Sequence, residues 1–227
     1  IYLLALEKTD YDIDFLKSVN DTLDITILKT LLFQVFAAIF TIFNLFGIKH
    51  NDLHIGNIML TNTDLEFLYY HCDKYYYKIP TYGFLIKIID WGRATYNFNF
   101  NEGKNTIFNR GEICCGQYQY TLPNKPSMGY YYHNKWTDVV LLSHSLLYNF
   151  PNIRNYPTIC SLLKNNIKTK QGIFVTTDEF SWEVYEFIGK HKFNIRPRSI
   201  LNHKIFKSYK IKVDDIPPET HIYKITL

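Results

Sequence analysis

Lys49-His50-Asn51-Asp52-Leu53-His54-Ile55-Gly56-Asn57-Ile58-Met59-Leu60 is the stretch on which the reading of this chain turns. It follows a long apolar run. It packs an acid, two histidines and two amides into residues 50–57, then enters a β-prone segment. Downstream, Ile88-Ile89-Asp90-Trp91-Gly92 repeats the idea, as a strand that ends in an acid and then a glycine. Together the two stretches predict a metal–phosphate site.

Working outward, the run before the loop predicts a helix over 25–46. No residue from Leu31 to Ile48 is charged, so the run is long enough to cross a membrane. Its spacing argues against that. Thr30, Gln34, Ala37, Thr41 and Asn44 recur every three or four residues and form one softer stripe, as expected of a core helix with a polar seam. Gly47 suits a left-handed C-cap. After the loop, strands are expected at 58–60, 65–70, 75–79 and 84–89, with turns at 61–64 and 80–83. Residues 1–6 read as a buried strand, and 12–16 as the start of a short helix. Residues 96–132 show no period. Helices are expected over 136–150 and 158–165, and another, with a capping box at 176–179, ends near Gly189. A short helix at 196–201 and an extended tail complete the chain.

The spacing has chemical consequences. Asp52 stands in a loop just after a helix, and Asn57 enters a strand. Asp90 ends a second strand. If those strands pair, Asn57 and Asp90 approach one another. An amide oxygen and a carboxylate are hard ligands suited to Mg²⁺, which takes few protein ligands and keeps water and phosphate oxygens. Asp52 is then available to accept a proton from an attacking hydroxyl. These are the parts of a phosphoryl-transfer site. Any of the three alone would read as a turn or strand-end residue. His50 reads as structural, packed under the loop. His54 stays open between a phosphate-facing role and a surface histidine. Trp91 reads as core.

His50-x-Asp52-x-x-x-x-Asn57 resembles the catalytic loop of the protein kinases, and Asp90-Trp91-Gly92 resembles their Asp-Phe-Gly element. Leu4-Ala5-Leu6-Glu7 looks like the hinge between the kinase lobes. Asp138 matches the helix-borne Asp that anchors the loop backbone, and Arg196-Pro197 through Phe206 looks like the end of the C-terminal lobe. His54 stands where most protein kinases have Lys, similar to haspin-like kinases and to aminoglycoside-type phosphotransferases. The long interval between Asn57 and Asp90 also looks haspin-like. No Ala-Pro-Glu element lies between Asp90 and Trp136, and no glycine-rich loop or strand Lys can be placed. Divergent kinases of large DNA viruses share this style.

The resemblance implies an α+β fold, a mainly helical protein-kinase-like C-lobe with small β-hairpins. Residues 1–10 would be the hinge region and 11–227 the C-lobe, without the N-lobe. A start at Ile1 rather than Met fits a piece of a longer protein. The resemblance further implies ATP-dependent transfer to protein Ser/Thr. Asp52 and His54 are the catalytic candidates, Asn57 and Asp90 the Mg²⁺ ligands, and Leu6, Asn57 and Asp90 the ATP contacts. A small-molecule kinase of the aminoglycoside or choline type and a non-catalytic binding module are the rival readings.

Composition bounds the rest. The 227 residues are 47% hydrophobic and 20% charged, which fits a globular chain with a substantial core. Net charge is +4 with no polybasic run, and the tyrosine-rich stretches lack a basic groove pattern. The partners that the resemblance implies are ATP and a protein substrate, and on this composition neither nucleic acid nor membrane is expected beside them. The four cysteines show no CxxC spacing, and no histidine or cysteine pair has structural-zinc spacing. With no signal peptide in view, the expected setting is the host cytoplasm or nucleus, or the virion, rather than the secretory route.

Overall fold

The computed structural model describes residues 9–12, 24–95, 135–176 and 181–227. In chain order it runs β1 (Tyr11–Asp12), α1 (Ile25–Phe46), β2 (Ile58–Asn62), β3 (Phe67–Cys72), β4 (Tyr75–Pro80), β5 (Phe84–Ile88), α2 (Thr137–Asn149), α3 (Pro157–Asn166), α4 (Trp182–Lys190), α5 (Pro197–Leu201), β6 (Lys210–Ile211) and β7 (Ile222–Lys224). The fold is α+β and compatible with a kinase-like one.

Helix α1 has the expected bounds. Asp24 caps its start by accepting from the Thr26 and Ile27 amides at 2.8 and 3.2 Å. Gly47 ends it at φ 64°, a left-handed conformation that glycine adopts without a Cβ clash. One side of α1 buries Leu28, Leu31, Leu32, Phe36 and Phe40. Phe33 packs against Tyr77 and Phe206, with ring centroids 4.9 and 5.1 Å away. The polar seam is a docking rail. Thr30 meets the Tyr209 hydroxyl at 2.9 Å. Gln34 donates to the Phe84 carbonyl and accepts from the Ile86 amide. Asn44 donates to the Thr226 carbonyl. The helix has the length and apolarity of a membrane span, and 61% of its most apolar window is buried inside the fold.

Two sheets follow. The first has the order β1-β2-β5. Strands β2 and β5 pair antiparallel from Ile58↔Ile88 to Asn62↔Phe84. The second, β6-β4-β3-β7, grows on the β3–β4 hairpin, with β7 parallel to β3. The chain therefore leaves the first sheet at Asn62, builds the hairpin of the second, and returns as β5. Tyr82 (φ 50°) and Gly83 (φ 83°) make the return turn.

Two expectations are corrected. Asp12 ends a strand rather than opening a helix, because Tyr11–Asp12 pairs with the outer edge of β2. The C-terminal tail is not simply extended. It forms a 3-10 turn at Lys204–Tyr209, and its strands then fill both edges of the β3–β4 hairpin. Helix α2, expected over 136–150, is buried all round from Thr137 to Leu147, as befits a helix enclosed by others. The expected strand at 1–6, Leu6, most of the hinge, residues 13–16 and the segment 96–132 lie outside the described residues. So does most of the expected capping box; α4 starts with Ser181 at its N-cap.

Candidate active site

The loop after α1 is held from several directions. Lys49 and Thr95 exchange backbone hydrogen bonds at 2.8 and 2.9 Å, tying the loop to the segment after Asp90. Asp138, in the first turn of α2, accepts from the His50 amide at 2.8 Å and the Asn51 amide at 2.7 Å. Both donors are buried, and leaving either unpaired would cost about 1–3 kcal/mol. Burial pushes the Asp138 carboxyl up from its ordinary range, against the pull of His50, the two amides and Lys49. Lys49 is itself buried, and its ammonium is pulled down to about 8 by desolvation, with Asp138 opposing.

Asn51 adopts φ 63°, a left-handed conformation that Asn tolerates better than most residues. Its amide donates to the Arg93 carbonyl at 3.0 Å and the Thr95 hydroxyl at 2.9 Å. His50 is buried under the loop. Its Nε2 lies 2.7 Å from the Ile89 carbonyl, an acceptor only, so Nε2 carries the proton. Trp91 is not core: it is 38% exposed, tilted over His50 at 4.8 Å and donating to the Ile88 carbonyl.

Asn57 joins the parts. Its Nδ2 donates to the Asp52 carbonyl at 2.8 Å, and its own carbonyl accepts from the Ile89 amide at 3.0 Å. The first bond fixes the distance from Asp52 to Asn57; the second sets Asn57 beside the end of β5, one residue before Asp90. With Nδ2 committed, Oδ1 is the remaining hard atom of the amide. Asp90 is exposed and left-handed at φ 58°. Among the described residues no three His, Cys, Asp or Glu side chains converge as a metal cage.

His54 caps a short 3-10 turn, its Nδ1 accepting from the Gly56 amide at 3.1 Å. Its Nε2 lies 3.3 Å from the Asn57 amide nitrogen, which is also a donor, and because a neutral ring accepts at one nitrogen only, each tautomer satisfies one of these two contacts. Burial lowers the His54 pKa; Asp52 and Asp90 oppose, while His50 and Arg93 add to the lowering. A Cβ at Gly56 would sit 3.0 Å from the His54 ring, so glycine permits this approach.

The Asp52 side chain lies between two groups that the sequence did not single out. The Tyr185 hydroxyl on α4 donates to Oδ1 at 2.5 Å. Arg93 lies 3.4 Å from Oδ2. Val184, Tyr185 and Ile188 fall at helical spacing, a signal that could have marked Tyr185 as buried, and a buried phenol needs a partner. Nothing in the sequence said that the partner would be Asp52, far away in the chain.

No family model matches the chain. It is similar, at 27% identity over 185 residues, to a probable serine/threonine-protein kinase of Invertebrate iridescent virus 6. The match covers 77% of this chain and 32% of that protein, so the chain spans about a third of its relative's length. The similarity supports a kinase-like reading at most, and the α+β fold is compatible with it.

Proposed function

We propose that this chain is the C-lobe portion of an ATP-dependent kinase that phosphorylates protein serine or threonine. One observation carries the reading: the Asn57 amide bonded to the Asp52 carbonyl, with Asn57 itself tied to Ile89. That pair of bonds links a potential base, an amide ligand and the strand that delivers a carboxylate. The relative's name supports the same chemistry, and its viral source suggests the cytoplasm or nucleus of a host cell, or the virion, as the setting.

In this reading Asp52 orients the acceptor hydroxyl and takes its proton. Asn57 through Oδ1 and Asp90 through its carboxylate hold Mg²⁺, which would neutralise charge on the nucleotide phosphates. The exposed carboxylate and the uncommitted amide oxygen suit a hard cation that keeps several waters. His54, whose ring lies beside the Asn57 amide, would be a polar neighbour of the phosphates, its burial working against a positive charge there. Leu6 would meet the adenine edge.

Asp52→Asn in the full-length protein tests the assignment. It should lower transfer to peptides by about 10²–10⁴-fold while leaving the melting temperature within a few degrees. Undiminished transfer would refute the role. Running peptides beside aminoglycosides and choline separates the protein kinase from its small-molecule rival.

A further inference from the structure

We propose that Tyr185 is a positioning residue that fixes the Asp52 carboxylate by its Oδ1 and leaves Oδ2 to work on the acceptor. The inference rests on the kinase reading and deepens it. The two oxygens of Asp52 are held very differently. Oδ1 receives the Tyr185 hydroxyl at 2.5 Å, and Tyr185 is 6% exposed. Its helix buries Val184 and Ile188 beside it, and Trp182 packs on the same ring at 5.6 Å. A phenol has few rotatable bonds, so a packed ring delivers its hydroxyl at a fixed point. Oδ2 instead faces the Arg93 guanidinium at 3.4 Å, and that side chain is 40% exposed. A tight charge-assisted bond would be about 2.7–2.9 Å, so Arg93 is a loose cover that an incoming acceptor hydroxyl can replace.

The phenol remains a donor across the working range. Burial raises its pKa strongly, and the hydrogen bond to Asp52 raises it further. Asp52 lies in a loop, where the backbone bonds to Asp138 and Asn57 fix the main chain but leave the side-chain rotamer to be set. Tyr185 sets it from a different helix. General-base catalysis depends on hydrogen-bond reach to the proton being removed, so a misdirected carboxylate loses rate without losing nucleotide affinity.

The test is Tyr185→Phe in the full-length protein, assayed with a serine peptide and ATP beside wild type and Asp52→Asn. The variant removes one oxygen and keeps the ring. The expected result is a kcat lower by about 10–100-fold, a KM for ATP within about twofold of wild type, and an unchanged melting temperature within a few degrees. A structural role alone would move melting temperature and KM together with kcat. Wild-type kcat in Tyr185→Phe overturns the inference while leaving the kinase reading standing. So does a variant that fails to fold, because the hydroxyl would then be holding the fold and not the carboxylate. Wild-type protein with no transfer overturns both.

Discussion

The two sheets grow from one continuous stretch, 58–88, yet they do different work. The first, β1-β2-β5, is small and is held by its ladder and by Gln34 of α1. The candidate metal ligands stand at its ends: Asn57 directly precedes β2, and Asp90 follows β5. The second, β6-β4-β3-β7, carries none of the candidate site residues. It is packed by aromatic rings: Tyr77 on Phe33, Tyr70 on Tyr223 at 5.5 Å, and the Lys210 ammonium 3.5 Å over the Tyr75 ring. One sheet aims polar groups, and the other fills volume. Stability and chemistry should therefore respond to different substitutions.

The hardest test of that division is Tyr77→Ala. Tyr77 is fully buried, so its loss should cost about 3–5 kcal/mol by urea unfolding, while transfer per folded molecule stays within about threefold. A collapse of activity in the folded fraction would erase the distinction. Asp138→Ala probes the opposite side. It orphans two buried amides, and about 2–4 kcal/mol should be lost together with at least about tenfold in transfer, since the loop is no longer anchored. Full activity in a destabilised variant would show that the anchor serves the fold alone.

A third, smaller effect is a pH dependence. Lys49 titrates near 8 when folded, against an ordinary 10.5. Between those values the unfolded chain binds a proton that the folded chain has shed. Stability from this group therefore rises as pH climbs from 8 toward 10, by about 1–3 kcal/mol. Urea midpoints at the two pH values should diverge less in Lys49→Met; an equal divergence would remove Lys49 as the cause. The least effect belongs to Arg198, which bonds Asp73 at the tip of the second sheet at 2.8 Å. Both side chains are exposed, so Arg198→Ala should cost at most about 1 kcal/mol, and less in added salt.

Much of this was legible in residue order. Periodicity gave α1 its bounds, because a long uncharged run with a seam of small and polar residues has one stable arrangement. The spacing of Asp52, Asn57 and Asp90 named the candidate site, and strands were expected on either side of it, while their pairing, posed only as a condition, was supplied by the fold. The edges were not legible. Tyr11–Asp12, Lys210–Ile211 and Ile222–Lys224 are short and partly polar, and each is a strand only because a neighbouring edge supplies its hydrogen bonds.

The sequence by itself determined the longer local elements and named a candidate set of groups for phosphate chemistry, since both depend on residues near in the chain. Tertiary structure alone decided what those groups face. It placed the loop amides on Asp138, Gln34 on the edge of β5, Trp91 at the surface over His50, and the Tyr185 hydroxyl on Asp52. These are contacts between residues distant in sequence, made when helices and sheets pack, and no local propensity encodes them. At His50–Asn57 the chain thus wrote the candidate groups, and packing fixed what they face.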